Sequence, residues 1–321
     1  MDALGFRADL DQIPATLLVA ADCGERWPMA KPPRRLLMLG MGSSFFAADV
    51  VARRLRTKGV DAVAELASAG GGWPPSRDLT VVGISSSGES QETLDALDRH
   101  VGVSRVVALT NRPGSPITDR CSTTIEMFAG AETGGVACRS YRATLAALLA
   151  LEQQWFGGSL RDAARAAADA SAHLLASESE WLPDVADAAV GPDGTWLLAP
   201  AERLSSALQG ALMFREGPRR RSDGCETGDW SHVDVYLTKT YDYRAIVFAG
   251  SRYDPEAARW MQQRGSTSVA VSGEFPGAAL TVRYPGDDDP AVALLTEVLV
   301  PELLAAHLWA HRSLRISNPP S

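Results

Sequence analysis

Short apolar runs alternate with amphipathic stretches along most of the chain. Leu36-Leu37-Met38-Leu39, residues 62–66, Leu79-Thr80-Val81-Val82-Gly83 extending to residue 85, 106–110 and 123–128 read as strands. Residues 44–56, 90–100 and 138–156 carry helical periodicity between or after them. Alternation of this kind predicts a parallel sheet wrapped by helices. The helix at 138–156 places Leu145, Leu148, Leu149 and Leu151 around much of its circumference and is therefore expected to be buried. Ahead of the first strand lie an amphipathic helix at about 6–21 and a Pro-rich connection at 27–33.

An Ala-rich stretch at 159–189 reads as a linking helical region, and Gly191-Pro192-Asp193-Gly194 turns the chain into a new cycle. That cycle comprises a strand at 195–199, a helix at 203–216, a strand at 245–249, a helix at 255–263, strands at 268–271 and 280–284, and a long helix at 291–314 kinked at Pro301. Its order resembles the first half. The expected fold is α/β with two similar units, each a mainly parallel sheet flanked by helices. The divisions expected are a leading helix and linker at 1–34, a first unit at 35–158, a linking helical region at 159–194 and a second unit at 195–321.

Composition supports a folded, soluble chain: of 321 residues, 45% are apolar and 22% charged. A net charge of -8 argues against a nucleic-acid partner, and Arg219-Arg220-Arg221 is too short to reverse that. The N-terminus has no basic region followed by an apolar core, and no stretch of about 18 apolar residues is evident, so a cytoplasmic protein is expected. Cys23, Cys121, Cys138 and Cys225 lie far apart and read as reduced thiols. His307 and His311 share a helix face without a nearby Glu base, so no metal site is expected.

The most informative segment is Ile84-Ser85-Ser86-Ser87-Gly88-Glu89-Ser90, where a strand enters a hydroxyl-rich turn at a helix start. Backbone N–H groups, Ser hydroxyls and the positive end of a helix dipole together suit a phosphate or carboxylate. No Lys follows the glycine, which excludes the nucleotide-binding P-loop and points to a small phosphate ester. Gly40-Met41-Gly42-Ser43-Ser44 forms a second such turn after the first strand. Phe45 stands at the third glycine of a dinucleotide fingerprint, which argues against that class.

With these turns on view, the chain resembles the sugar isomerase (SIS) domain family, especially the two-unit isomerase half of glucosamine-6-phosphate synthase and its free-standing deaminase and deglycase relatives. Gly42-Ser43-Ser44, Ser85 to Ser90, Asn111-Arg112-Pro113-Gly114-Ser115, Ala129-Gly130-Ala131-Glu132-Thr133-Gly134 and Gln209-Gly210-Ala211-Leu212-Met213-Phe214-Arg215-Glu216 look like successive family motifs, and the likeness runs from about 35 to 315. The resemblance implies phosphate binding by Ser44, Ser85, Ser86, Ser87 and Ser90, with Ser86 where many synthases have Gln. It implies proton transfer by Glu216 and ring opening by His232, a residue often contributed by a neighbouring subunit. Gly42 and Ser43 are candidates for the same pocket. Glu132 and Arg139 either join it or brace the pocket or a subunit contact. No metal or organic cofactor is implied, and a homodimer or higher homo-oligomer is.

The residues support Glu216 independently. Leu204, Leu208 and Leu212 read as the buried stripe of its helix, and Glu216 continues that stripe by one i+4 step. Burial and the negative end of the helix dipole would raise its pKa, which suits a general base. Taken alone, it could equally be a terminal residue paired with Arg219 or Arg220.

Three departures from the synthase pattern shape the expected chemistry. No glutaminase domain fits before the SIS-like region, the tail Arg315-Ile316-Ser317-Asn318-Pro319-Pro320-Ser321 carries no Schiff-base Lys, and Met213 replaces a helix Lys. Expectation therefore falls on an isomerase, deaminase or deglycase acting on a sugar or amino-sugar phosphate through an enediol or enolamine, without glutamine amidotransfer. The rival is a non-catalytic sugar-phosphate sensor.

Overall fold

The computed structural model describes residues 1–21 and 27–317. Cys23, the side chains of residues 312–317 and the tail Asn318-Pro319-Pro320-Ser321 lie outside the described residues, so the thiol reading of Cys23 and the Lys-free tail go undescribed there.

The leading segment forms two helices, α1 (Ala3–Asp11) and α2 (Ile13–Ala21), rather than one. Pro14 falls in the first turn of α2, where a missing N–H leaves no helical bond unmade. The chain then runs through β1 (Arg35–Gly40), α3 (Ser43–Thr57), β2 (Asp61–Leu66), β3 (Leu79–Ser85), α4 (Gln91–Asp98), β4 (Arg105–Thr110), β5 (Thr123–Glu126) and α5 (Arg139–Phe156). It continues with α6 (Leu160–Ala176), α7 (Glu178–Ala189), β6 (Thr195–Ala199), α8 (Leu204–Glu216), β7 (Ser222–Glu226) and α9 (Thr227–Trp230). It closes with β8 (Arg244–Phe248), α10 (Asp254–Gln263), β9 (Thr267–Val271), β10 (Leu280–Val282), α11 (Pro290–Thr296) and α12 (Leu299–Ser317).

The strands build two five-stranded parallel sheets, ordered β2-β1-β3-β4-β5 and β10-β9-β8-β6-β7. Read from its other edge, the second sheet runs β7-β6-β8-β9-β10, the same relative order as the first. One compact unit, residues 15–131 and 137–165, holds the first sheet; the other, residues 1–14, 132–136 and 166–321, holds the second.

In the first-sheet unit every residue of β3 is buried, as expected for a central parallel strand covered on both faces. The four leucines of α5 singled out above are at most 2% exposed, each contributing roughly 1.5–3 kcal/mol of apolar burial. Glu152 on α5 is 3% exposed and receives Arg54 Nε of α3 at 2.8 Å and Nζ of Lys58, the residue that ends α3, at 3.1 Å. Its charge is compensated, and the pair ties α3, whose start forms one of the serine turns, to the core helix.

In the other unit, Trp196 stacks on Tyr243 with ring centres 5.5 Å apart, and Trp230 Nε1 donates to the Tyr243 hydroxyl at 2.7 Å. β7 has a polar sequence and gave no strand signal, yet it pairs with β6 in full register. Gly224 makes this fit: a Cβ there would lie 2.6 Å from the Ala207 carbonyl carbon on α8. The final helix is interrupted rather than kinked, with α11 ending at Thr296 and α12 starting at Leu299. Pro301 explains the break, because its ring conflicts with the carbonyl of residue 297 and it offers no N–H to bond. Pro290–His311 is long and apolar enough to cross a membrane, contrary to the expectation that no such stretch exists, but 83% of its 18-residue window is buried within the protein. That degree of burial fits a core helix.

Gly224→Ala is expected to lower stability by about 1–3 kcal/mol through overpacking against α8, read as a drop in the urea midpoint at unchanged slope. An unchanged midpoint would show that strand and helix are not in this contact.

Candidate active site

In the first sheet the chain leaves β1 for β2 on one side and leaves β3 for β4 on the other. The connections diverge at the carboxyl ends of β1 and β3, which opens the crevice where ligands of such sheets sit. β1 and β3 are direct neighbours, with Leu39 opposite Gly83, so the turns that follow them share this edge. Both serine turns are therefore brought together.

Gly42 adopts φ 50°, allowing the chain to swing from β1 into α3 so that Ser43 and Ser44 form its first turn. On the second turn, Ser85 is 6% exposed and its Oγ accepts from the Gly88 N–H at 3.1 Å. Ser87 Oγ accepts from Glu89 N–H at 3.2 Å, and Ser90 Oγ caps α4 by accepting from Thr93 N–H at 3.4 Å. Ser90 Oγ also donates to the Glu92 carboxylate at 2.9 Å, and Glu92 is held below its ordinary value by its own backbone N–H and by that hydroxyl. The hydroxyls of Ser44 and Ser86 form no hydrogen bond among the described residues. Three of the five hydroxyls thus shape the turns, and two stand free to donate to a ligand.

The second turn is rigid because a neighbouring loop fills the space beneath it. Gly88 has φ 69°, and a Cβ there would collide with the buried Ser115 Oγ. Ile117 N–H bonds the Gly88 carbonyl at 3.0 Å, and Asn111 N–H bonds the Ser86 carbonyl at 3.2 Å. The Asn111 side chain carries the brace onward, donating to Gly130 O at 2.7 Å and accepting from Ala129 N–H at 2.9 Å. Arg139 fastens the same segment: Nη1 donates to Ala131 O at 2.9 Å and Nε to Thr16 Oγ1 at 3.0 Å. This geometry shows Arg139 bracing the motif.

Glu216 is the last residue of α8, in the other unit. The leucine stripe proposed to bury it is corrected: Leu204, Leu208 and Leu212 are only half-buried, as is Glu216. The buried face carries Ser205, Ser206, Ala207, Gln209, Gly210, Ala211, Met213 and Phe214 instead. Small residues allow close approach there, since a Cβ on Gly210 would come within 2.5 Å of Leu197 and 2.9 Å of Pro301. Apolarity misled because large leucines border this surface while small and polar residues pack inside it. Glu216 nevertheless keeps one feature of the expectation. Burial, the largest cause, raises its pKa; Arg219 and Arg215 oppose the shift, and Glu132 adds to it. No hydrogen bond or ion pair holds its carboxylate among the described residues, so pairing with Arg219 or Arg220 is not the arrangement adopted.

Glu132 lies in the same unit as Glu216. The residues after it are keyed to α1, where Asp9 accepts from Thr133 Oγ1 at 3.1 Å and from Gly134 N–H at 2.7 Å. A Cβ on Gly134 would collide with the Phe6 backbone. Asp9 had drawn no attention in the sequence, where the only available signal was an acidic residue interrupting an amphipathic pattern. His232 is exposed on the turn after α9, its N–H bonded to Asp229 O at 2.8 Å. α8 runs back from the carboxyl end of β6, leaving Glu216 near the amino ends of β6 and β7, whereas α9 and His232 follow the carboxyl end of β7. Within one chain, then, Glu216 and His232 stand at opposite edges of the same sheet. Among the described residues no group of three or more His, Cys, Asp or Glu is placed to hold a metal ion.

A family model described as "SIS domain" matches residues 30–152. Glutamine–fructose-6-phosphate aminotransferase [isomerizing] 1 of Arabidopsis thaliana is 26% identical over 312 residues, covering 89% of this chain and 45% of its own length. The chain thus spans about half the length of that relative. Among solved structures, the C-terminal domain of glucosamine-fructose-6-phosphate aminotransferase from Francisella tularensis superposes with a TM-score of 0.78 at 14% identity, covering 95% of this chain and 96% of that one. Glucosamine-6-phosphate deaminase from Thermotoga maritima gives 0.71 at 17% identity, covering 95% and 94%. At these identities the structural likenesses establish the fold.

Because burial raises the Glu216 carboxyl above its ordinary 4.5, its ionisation opposes folding. The wild-type residue is at no disadvantage at pH below that value, and the cost grows as pH rises through the folded pKa. Glu216→Gln is therefore expected to be more stable than wild type at pH 7, with the advantage fading toward pH 4, as read from denaturant midpoints at both pH values. A Gln variant less stable at pH 7 would contradict a desolvated, unpaired carboxylate.

Proposed function

We propose that this chain, which carries a SIS domain and is homologous to the isomerase part of glutamine–fructose-6-phosphate aminotransferase, is a phosphosugar isomerase or deaminase-type enzyme. The observation that carries the reading is the placement of Glu216, half-buried at the end of α8 with no ion pair on its carboxylate among the described residues, where burial raises its pKa. A carboxylate so held is a stronger base than one in water.

Glu216 removes the proton from the carbon beside the carbonyl of an open-chain sugar or amino-sugar phosphate. The C–H pair becomes a C–C double bond while the carbonyl π pair moves onto oxygen, which takes up a proton to give an enediol or enolamine; return of the proton to the neighbouring carbon, as the other hydroxyl loses its proton and becomes the carbonyl, completes an isomerisation. When the intermediate is an enolamine, return of the proton to the neighbouring carbon gives a ketose imine, and water adds to its C=N bond and expels ammonia, which completes deamination. Ser44, Ser85, Ser86, Ser87 and Ser90, with the N–H groups at the starts of α3 and α4, hold the phosphate, supported by Gly42 and Ser43. Binding energy spent on the phosphate, remote from the reacting carbons, orients the substrate for the proton shift. Nitrogen transfer from glutamine is not part of this reading, consistent with buried Met213 where the family has a helix Lys.

His232 assists ring opening. Since it lies at the opposite sheet edge from Glu216, we assign it to the site of a neighbouring copy in a homodimer. Mixed dimers test this arrangement: Glu216→Gln combined with His232→Ala should recover about a quarter of wild-type activity, because half of random dimers hold one intact site of two. Recovery of none would assign both groups to one chain or leave His232 without a role.

The decisive assay incubates the protein with ketose, aldose and amino-sugar phosphates in deuterated water. Solvent deuterium should enter at the carbon beside the carbonyl, and Glu216→Gln should reduce this roughly 10²–10⁴-fold while sugar-phosphate binding survives. Binding without exchange in the wild type would make the protein a sensor.

A further inference from the structure

Only three non-glycine residues among those described have positive φ, and one of them, Arg219 at 56°, lies three residues after Glu216. This left-handed conformation is strained for a side chain with a Cβ. Arg219 is exposed, so no core packing requires a large residue there. Bonds on either side impose the conformation. Gly217 N–H bonds Met213 O at 3.0 Å, Arg220 N–H bonds Phe214 O at 2.9 Å, and Arg220 Nη2 donates to Gly191 O at 2.6 Å. Glycine would satisfy the same turn without strain.

The guanidinium makes no ion pair. Its Nη2 donates to the Met1 sulfur at 3.5 Å, and neither Arg219 nor Arg215 is paired with a carboxylate among the described residues. Some arginines elsewhere are matched with carboxylates, as Arg54 is with Glu152 and Arg203 with Glu297, and others donate to backbone carbonyls, as Arg56 does to Ala62 and Arg220 to Gly191. A chain with eight excess negative charges leaves these two cations unmatched at the end of the helix that carries the proposed base. The charged groups acting on Glu216 are Arg219, the stronger cation, then Arg215, with Glu132 opposing. From α12, Trp309 packs against Gly217 and brings no charge.

We propose that Arg219 is a further catalytic residue, the cation that stabilises the enediolate formed when the substrate loses its proton. This rests on the proposed function. As Glu216 takes the proton, the C–H pair forms the C–C double bond and the carbonyl π pair moves onto oxygen. The Arg219 guanidinium donates hydrogen bonds to that oxygen and keeps its own protons. It thereby supplies a positive charge just beyond the end of α8, whose buried Met213 offers none. The residue serves the transition state at the expense of backbone strain, the trade expected at functional sites.

Arg219→Gly, Arg219→Lys and wild type are compared by deuterium exchange on the sugar phosphate the wild type turns over. Arg219→Gly should melt at or above the wild-type temperature, since strain is relieved, while its kcat falls about 10²–10³-fold with KM changed less than threefold. The acid limb of its kcat profile should move to higher pH, because the main cation opposing the rise of Glu216 is gone. Arg219→Lys should recover part of the rate, and so should guanidinium chloride added to Arg219→Gly. A well-folded Arg219→Gly whose kcat stays within threefold of wild type would overturn the inference alone. A wild type that exchanges nothing on the whole panel would instead overturn the proposed function and this inference with it.

Discussion

The structure depends first on where the connections of the β2-β1-β3-β4-β5 sheet part company. Chain order sends the segments after β1 and β3 to opposite sides, which is where such sheets open a crevice. Two helix starts then flank one crevice, and hydroxyls are side chains well suited to line it. Gly42 and Gly88, both in left-handed conformations, bend the chain into these starts. Ser115, Ile117 and Asn111 keep the second turn from collapsing. On the proposed reading, selectivity for an anion comes mainly from backbone geometry, with Ser44 and Ser86 supplying hydroxyls not already committed to the fold.

A different constraint governs the proposed base. A carboxylate partly withdrawn from water is either paired or raised in pKa, and the half-buried Glu216 follows the second course. Its helix is fixed by contacts that need small residues: Gly210 against Leu197 and Pro301, Ala207 against Gly224. The interruption between α11 and α12 belongs to the same packing, because Pro301 both ends the continuous helix and fills the space above Gly210. Precision at Glu216 therefore rests on glycine and proline positions well removed from it in sequence.

Much of this was legible in the chain because it follows from apolar periodicity. β3 is a run buried on both faces, and both its ends and its parallel setting could be read. β7 could not, because an edge strand closed by glycine packing has no need of apolar residues. The leucines of α8 illustrate the opposite error, where large side chains mark a half-covered surface and the core takes Ser, Ala and Gly. Pro301 signalled a disturbance in the last helix but not its size. The serine turns were visible through residue type and position after strands, whereas the braces at Ser115 and Asp9 depend on contacts distant in sequence. Arg219 stood out in the sequence only as part of a short basic triplet, since a left-handed backbone at a non-glycine residue leaves no mark on residue type.

The central claim is that the serine turns at the carboxyl ends of β1 and β3 hold the phosphate of the substrate. A crystal structure of the protein soaked with a hexose 6-phosphate tests it most directly. The account predicts phosphorus within hydrogen-bonding reach of Ser44, Ser86 and the N–H groups of the turn that ends at Ser90. Phosphorus bound instead at the carboxyl ends of β6 and β8, with the serine turns empty, would contradict it.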